Sequence, residues 1–196
     1  METPLETPKD TLVRYLQSAR DGVVWKLEGL DELDARRPLT PTGTNLAGLL
    51  KHLASIELGY FGDTFGRPSG IDLPWHAEDA DPNADLYLEA DESIAWALEL
   101  YRAAWAPAAV TFAELDLDAV GRVPWWPEEM NPVTLHQILV HMLNETARHA
   151  GHADVLREGL DGQMGRSPGD PNAADGYDWA AHVARVQAAA EAAGAQ

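Results

Sequence analysis

Residues 132–159 read PVTLHQILVHMLNETARHAGHADVLREG, and this stretch decides the fold. His141, Glu145, His149 and His152 follow one another at spacings of four, four and three. At about 100° per residue they share one arc of a helix, less than a quarter-turn wide. Ile138, Met142 and Leu156 fall in or beside the same arc, so the polar stripe lies on the apolar face that a bundle turns inward. A core-facing carboxylate and several imidazoles are costly unless hydrogen-bonded or coordinated. Asn131 as N-cap and Pro132 at the first helical position predict a start there, and Gly159 predicts a stop.

Upstream, three more segments carry a helical pattern. Thr7 and Pro8 open the first, which is predicted from Pro8 to Leu30 with Leu12, Tyr15, Leu16, Ala19, Val23 and Leu27 on one face. The second is predicted from Asn45 to Phe65, capped by Thr44 or Asn45, with Leu49, His52, Leu53, Ile56 and Tyr60 inward. The third begins at Leu86 or Asp91 and runs to Trp105, where Pro107 is expected to disrupt its end. An Ala-rich fifth helix is expected from Tyr177 to Ala193, beyond a linker rich in Gly, Pro, Asp and Asn. Long loops, 68–85 and 120–132, separate the second, third and fourth helices and permit crossover connections. With no strand alternation of useful length, the expectation is an all-α fold: one four-helix-bundle domain over 1–196 with an extra C-terminal helix.

The formal net charge is −18, from 14 Lys+Arg against 32 Asp+Glu. Such a surface repels phosphate backbones and anionic bilayers, so neither a nucleic acid nor a membrane is expected as partner. No apolar run reaches the roughly 20 residues of a membrane span. The polar, Pro-containing stretch Met1–Asp10 gives no expectation of a signal peptide, and a cytoplasmic location fits. Cysteine is absent, so any thiol chemistry must use a thiol brought by a cofactor or substrate.

Two ligands four apart on one helix can converge on a single ion. Glu145 with His149, and His141 with Glu145, have that spacing, and His149 with His152 are three apart. A third ligand must come from elsewhere, and His52 is the natural candidate. The same spacing equally suits hydrogen-bonded core histidines with Glu145 as their partner. His76, His136 and His182 fall off the stripe and read as surface or loop histidines. Trp75, Trp125 and Trp126 lie on loops, where they either cover a pocket or close the core. Arg148 and Arg157 are expected to face solvent or to pair with Glu158 and Asp154, with capture of a substrate carboxylate as the functional option.

Leu49-Leu50-Lys51-His52-Leu53-Ala54 and the segment from His141 to Glu158 resemble the two signature segments of the DinB-like superfamily. The likeness extends over nearly the whole chain. It implies a four-helix bundle that binds a divalent ion with a His from the second helix and a Glu-x3-His pair from the last. On matching positions these are His52, Glu145 and His149. The Glu-x3-His form resembles the branch of mycothiol-dependent enzymes, S-transferases and a maleylpyruvate isomerase. Because that isomerase carries an extra C-terminal domain, the expectation goes to the short, single-domain members.

Two imidazoles and one carboxylate leave an open position on zinc, the first choice of metal, with Ni2+, Fe2+ or Mn2+ as alternatives. A thiol entering that position loses its proton and attacks an electrophilic carbon. The expected function is thus a metal-dependent S-transferase using mycothiol, with a small-molecule thiol and an electrophile as partners; a homodimer is compatible. The alternatives are a non-catalytic metal- or small-ligand-binding bundle linked to stress, and a metal-assisted hydrolase that activates water. His141 and His152 either orient Glu145 and shuttle protons, or pack beside the site.

Overall fold

A computed structural model describes residues 5–194, which fall into two compact units, one within Met1–Gln163 and one within Met164–Gln196. The first unit is a bundle of four long helices, α1 (Pro8–Trp25), α3 (Leu46–Phe61), α4 (Ile94–Glu114) and α5 (Leu135–Asp161), with a short α2 (Glu32–Arg36) after α1. Helix α1 packs along α5, α3 packs along α4, and α3 also meets α5. The second unit carries α6 (Trp179–Gly194), the expected Ala-rich helix. Among the described residues, no helix is long and apolar enough to cross a membrane.

The helix starts follow local capping chemistry. The side chains of Thr7, Asn45 and Ser93 accept the backbone N–H of Asp10, Gly48 and Trp96. Several boundaries differ from expectation: α3 ends at Phe61 and not Phe65, α4 starts at Ile94 behind its Ser93 cap and not at Leu86 or Asp91, and α5 runs past Gly159 to Asp161, where Gly162 at φ 79° ends it. Helix α5 starts at Leu135 with Thr134 as its cap, not at Asn131. Strands β1 (Val120–Gly121) and β2 (Val133–Thr134) pair antiparallel and hold the chain extended there. Asn131 instead accepts from the Val123 N–H at 2.9 Å and donates to its carbonyl at 3.1 Å, closing the loop between the strands. Helix α4 runs through Pro107 to Glu114. Proline frees the carbonyl of Ala103, but Ala103 is exposed and reaches water, while Ala104, Ala108 and Phe112 are buried and hold the helix in place. Helix α1 stops at Trp25, short of Leu30, because the buried Arg157 guanidinium of α5 donates to the carbonyls of Lys26 and Glu28 at 2.7 and 2.9 Å. Arg157 is thus a cap for α1 and not a solvent-facing group.

The core contains an ion pair. Arg20 of α1 grips Glu57 of α3 with both nitrogens of its fork, at 2.8 and 2.6 Å, and both side chains are almost fully buried. Burial pushes the Glu57 carboxyl above its ordinary range, and the guanidinium opposes that shift. Removing one partner of such a pair leaves an uncompensated buried charge. Glu57→Ala is therefore expected to lose about 3–5 kcal/mol in urea denaturation followed by circular dichroism. The Arg20→Met, Glu57→Leu double variant should recover most of that loss; an equal loss in both would show that the pair itself, and not the stranded charge, sets the effect.

Candidate functional site

Helix α3 presents His52, and α5 presents Glu145 and His149, to the space between these two helices. The His52 and His149 rings meet edge to face with centroids 5.0 Å apart. Glu145 Oε2 lies 3.5 Å from His149 Nε2. His152 lies one turn on, its ring centroid 5.4 Å from that of His149. Of the stripe residues, His149 meets His52 directly, and Glu145 and His152 stand beside His149. The fourth, His141, packs elsewhere: its ring is 4.7 Å from Tyr60 and 5.1 Å from Trp126, and burial lowers its pKa. Among the described residues, no three His, Asp or Glu side chains already stand as a metal-holding group.

His149 carries the most informative electrostatics. Its Nδ1 is buried without a hydrogen-bond partner among the described residues. Burial, and next the neighbouring His52, lower its pKa from 6.5 to about 4. The ring is therefore neutral at pH 7, with Nε2 facing Glu145 and Nδ1 left without a partner among the described residues.

The long loop before α4 supplies a residue that sequence spacing does not reveal. Asp85 Oδ2 lies 2.7 Å from His52 Nδ1, and both side chains are largely buried. Hydrogen bonding to His52 lowers the Asp85 pKa, against the larger opposing effect of burial. A carboxylate on Nδ1 fixes the tautomer with its proton there and leaves the Nε2 lone pair free, the arrangement found behind metal-bound imidazoles. Asp85 lies 33 residues from His52 in a segment without periodicity, so its one signal was an acidic residue in a loop rich in acidic residues.

The loop is tied down at several points. Lys51 Nζ, fully buried, donates to Glu92 at 3.0 and 2.8 Å and to the Tyr87 carbonyl at 3.2 Å, and lies 4.3 Å from the Trp75 ring centroid. Trp75 Nε1 donates to Ser55 at 2.8 Å, so this tryptophan fastens the loop to α3. Trp126 Nε1 donates to Tyr60 Oη at 3.1 Å, and Trp125 packs on Gly59, where a Cβ would approach within 2.6 Å.

Two clefts result on either side of His52 along α3. One, of about 720 Å³, is lined by residues 42–45, by Asn83, Leu86 and Tyr87 of the long loop, and by His149 and His152. The other, of about 520 Å³, is lined by Ile56, Gly59, Tyr60, Leu73, His76 and Trp125 among others. Of the off-stripe histidines, His76 is exposed at that second cleft and His136 is exposed on α5. In the second unit, His182 lies 3.1 Å from the Tyr177 hydroxyl.

A sequence model of the mycothiol-S-transferase family matches residues 11–162. No curated protein matches the chain. The crystal structure of a conserved protein from Enterococcus faecalis superposes with a TM-score of 0.58 at 18% identity, covering 81% of this chain and 99% of that one. At that identity the likeness concerns the fold, and it agrees with an all-α bundle.

The neutral His149 has a consequence that can be measured without any ligand. The unfolded chain takes up this proton near pH 6.5, the folded chain only near 4. The native state of metal-free protein should therefore lose stability as the pH falls from 6.5 towards 4, and gain nothing from this ring above 6.5. An NMR titration of metal-free protein should place the His149 midpoint near 4. A midpoint at the ordinary histidine value would mean that water reaches the ring.

Proposed function

The chain belongs to the mycothiol-S-transferase family, and on that premise we propose that it joins a small thiol, mycothiol, to an electrophile at a divalent ion held by His52, Glu145 and His149. The observation that supports this reading is the meeting of His52 from α3 with His149 from α5, which has a Glu145 oxygen 3.5 Å from its Nε2 and lines the larger cleft, all within the matched residues. The donor set fits a divalent ion. His149 is neutral and has an unpartnered buried nitrogen, His52 is oriented by Asp85, and Glu145 supplies a negative oxygen. Two imidazoles and a carboxylate satisfy zinc while leaving a position open.

When bound, such an ion supplies the Lewis acidity that lowers a thiol's pKa and makes thiolate available at neutral pH. The remaining tasks fall to the chain. Asp85 holds the His52 ring so that Nε2 points away from the loop. His152, exposed at the cleft beside His149, is placed to take the thiol proton. The thiolate sulfur then forms a bond to the electrophilic carbon, whose leaving group departs with the bonding pair. Since the chain has no cysteine, the reacting sulfur is that of the thiol substrate.

The reading is tested by elemental analysis and a bimane-conjugation assay run together. His52→Ala and Glu145→Ala are expected to lose most bound metal, and Asp85→Asn to weaken it about 10–100-fold in a chelator competition. Conjugation should require both metal and mycothiol and should vanish in His149→Ala. Conjugation that survives chelation would exclude metal activation, and turnover of an ester without added thiol would favour hydrolysis.

A further inference from the structure

The smaller cleft, of about 520 Å³, is of the size that small-molecule sites have. Helix α3 supplies Ile56, Gly59 and Tyr60 to its lining, and the two long loops supply Leu73 and Trp125. Trp125 is 51% exposed, so a large apolar ring stands open to solvent within a concave surface.

This aromatic lining is fixed before any ligand arrives. Trp125 lies against Gly59, whose missing Cβ makes room for it, and meets the Tyr60 ring edge to face with centroids 5.1 Å apart. The bond from Trp75 Nε1 to Ser55 fastens the loop that carries Leu73. A ligand entering here does not have to order either loop, which lowers the cost of binding.

Two polar features narrow the choice of ligand. Tyr60 is only 7% exposed, and its hydroxyl accepts from Trp126 Nε1 at 3.1 Å. The Tyr60 O–H proton has no acceptor among the described residues, and a carbonyl or nitro oxygen would supply one. Asp63 also lines the cleft, and no Lys or Arg does, so an anionic ligand meets repulsion without compensation. His52, Ile56 and Tyr60 follow one another at four-residue spacing on α3. A ring seated against Ile56 therefore lies one turn from His52, about 6 Å along the helix axis.

Resting on the S-transferase reading above, we propose that this cleft seats the electrophile, and that the electrophile is a flat, uncharged ring compound carrying an oxygen acceptor for the Tyr60 hydroxyl. For a ring that bears a halide, the thiolate sulfur forms a bond to the ring carbon. The carbon–halogen bond breaks, the halide leaves with the bonding pair, and the thiol proton passes to solvent.

The test has a binding arm and a kinetic arm. In the first, coumarin (a flat, neutral lactone) is titrated by calorimetry into the full chain without thiol, beside naphthalene and coumarin-3-carboxylate. Trp125→Ala should weaken coumarin and naphthalene about tenfold, and Trp125→Phe, which keeps a ring, should restore most of the affinity. Tyr60→Phe should weaken coumarin about 3–10-fold, the worth of one hydrogen bond, and leave naphthalene unchanged. Asp63→Asn should tighten coumarin-3-carboxylate and leave coumarin as it was. Tyr15→Ala, exposed on α1 and outside the lining, should change none of these. In the second arm, metal-loaded protein conjugates mycothiol to 1-chloro-2,4-dinitrobenzene or to iodoacetamide, which has no ring. Trp125→Ala should raise the KM for the ring electrophile about tenfold, with the KM for mycothiol and the iodoacetamide rate unchanged. Coumarin binding indifferent to Trp125 and Tyr60 would overturn the cleft as a ring site. An unmoved KM for the ring electrophile would overturn it as the electrophile's seat while the S-transferase reading stands. If coumarin binds as expected but no thiol is conjugated to any electrophile, the S-transferase reading falls and the assignment of an electrophile falls with it.

Discussion

Helix α3 accepts the long loop before α4 because position 48 has no side chain. A Cβ on Gly48 would stand 1.8 Å from the Leu86 carbonyl oxygen, closer than any packing adjustment of backbone against backbone could absorb. The close approach places that carbonyl within reach of Asn45, which both caps α3 and holds the loop. It places Asp85 beside His52 and the Tyr87 carbonyl beside Lys51. Orientation of a histidine, burial of a lysine and the rim of the larger cleft thus follow from one missing methyl group. The lysine is itself stable only as part of this assembly. An ammonium with almost no solvent exposure needs its Glu92 partner and the face of Trp75, and both arrive on the same loop.

The bundle was largely legible in the sequence, because its signals are local. Apolar spacing marked the four long helices, and Thr7 and Asn45 marked two starts. The boundaries that moved did so through partners far along the chain. Arg157 ended α1 from more than a hundred residues away, and the pairing of Val120 with Thr134 delayed the start of α5. Pro107 misled in a different way. Proline weakens a helix locally, but burial of Ala104, Ala108 and Phe112 on the same face outweighs the lost bond.

The site divides along the same line. The spacing of Glu145, His149 and His152 is a local property of one helix, and it survives in the structure. Their nearness to His52 was read from its inward position on the second helix and then from the family resemblance, since nothing within α3 alone says which neighbour it meets. His141 shares the arc of the stripe but lies two turns before His149, where the neighbouring rings are Tyr60 and Trp126. An angular wheel reports the direction of a side chain and not its height along the axis, so it groups residues that the bundle separates. Asp85 was beyond reach for a plainer reason: in a loop, no periodicity distinguishes one aspartate from the next.

The charge distribution bears on why such a chemistry would use a metal at all. Of 14 basic residues, Arg20, Lys26, Lys51 and Arg157 are buried, while Glu57 is the one acidic side chain among the buried polar groups described. The surface is therefore more anionic than the net charge suggests. A negative field opposes loss of a thiol's proton, because the thiolate adds one more negative charge. Surface charges act weakly across more than about 8 Å at physiological salt, so the opposition is modest, but it has the wrong sign for activation. A local positive centre must overcome it. The buried basic residues are engaged elsewhere, Arg20 by Glu57, Lys51 by Glu92, Arg157 by α1 and Asp161, while Arg148, next to His149, is exposed. Burial, and next the neighbouring His52, lower the pKa of His149 at the cleft wall to about 4, so that ring is neutral at pH 7. On the proposed reading, a cation brought in from solution would supply positive charge at this place, and His149, with a nitrogen unpartnered among the described residues, and His52, held by Asp85, are the side chains that would receive it.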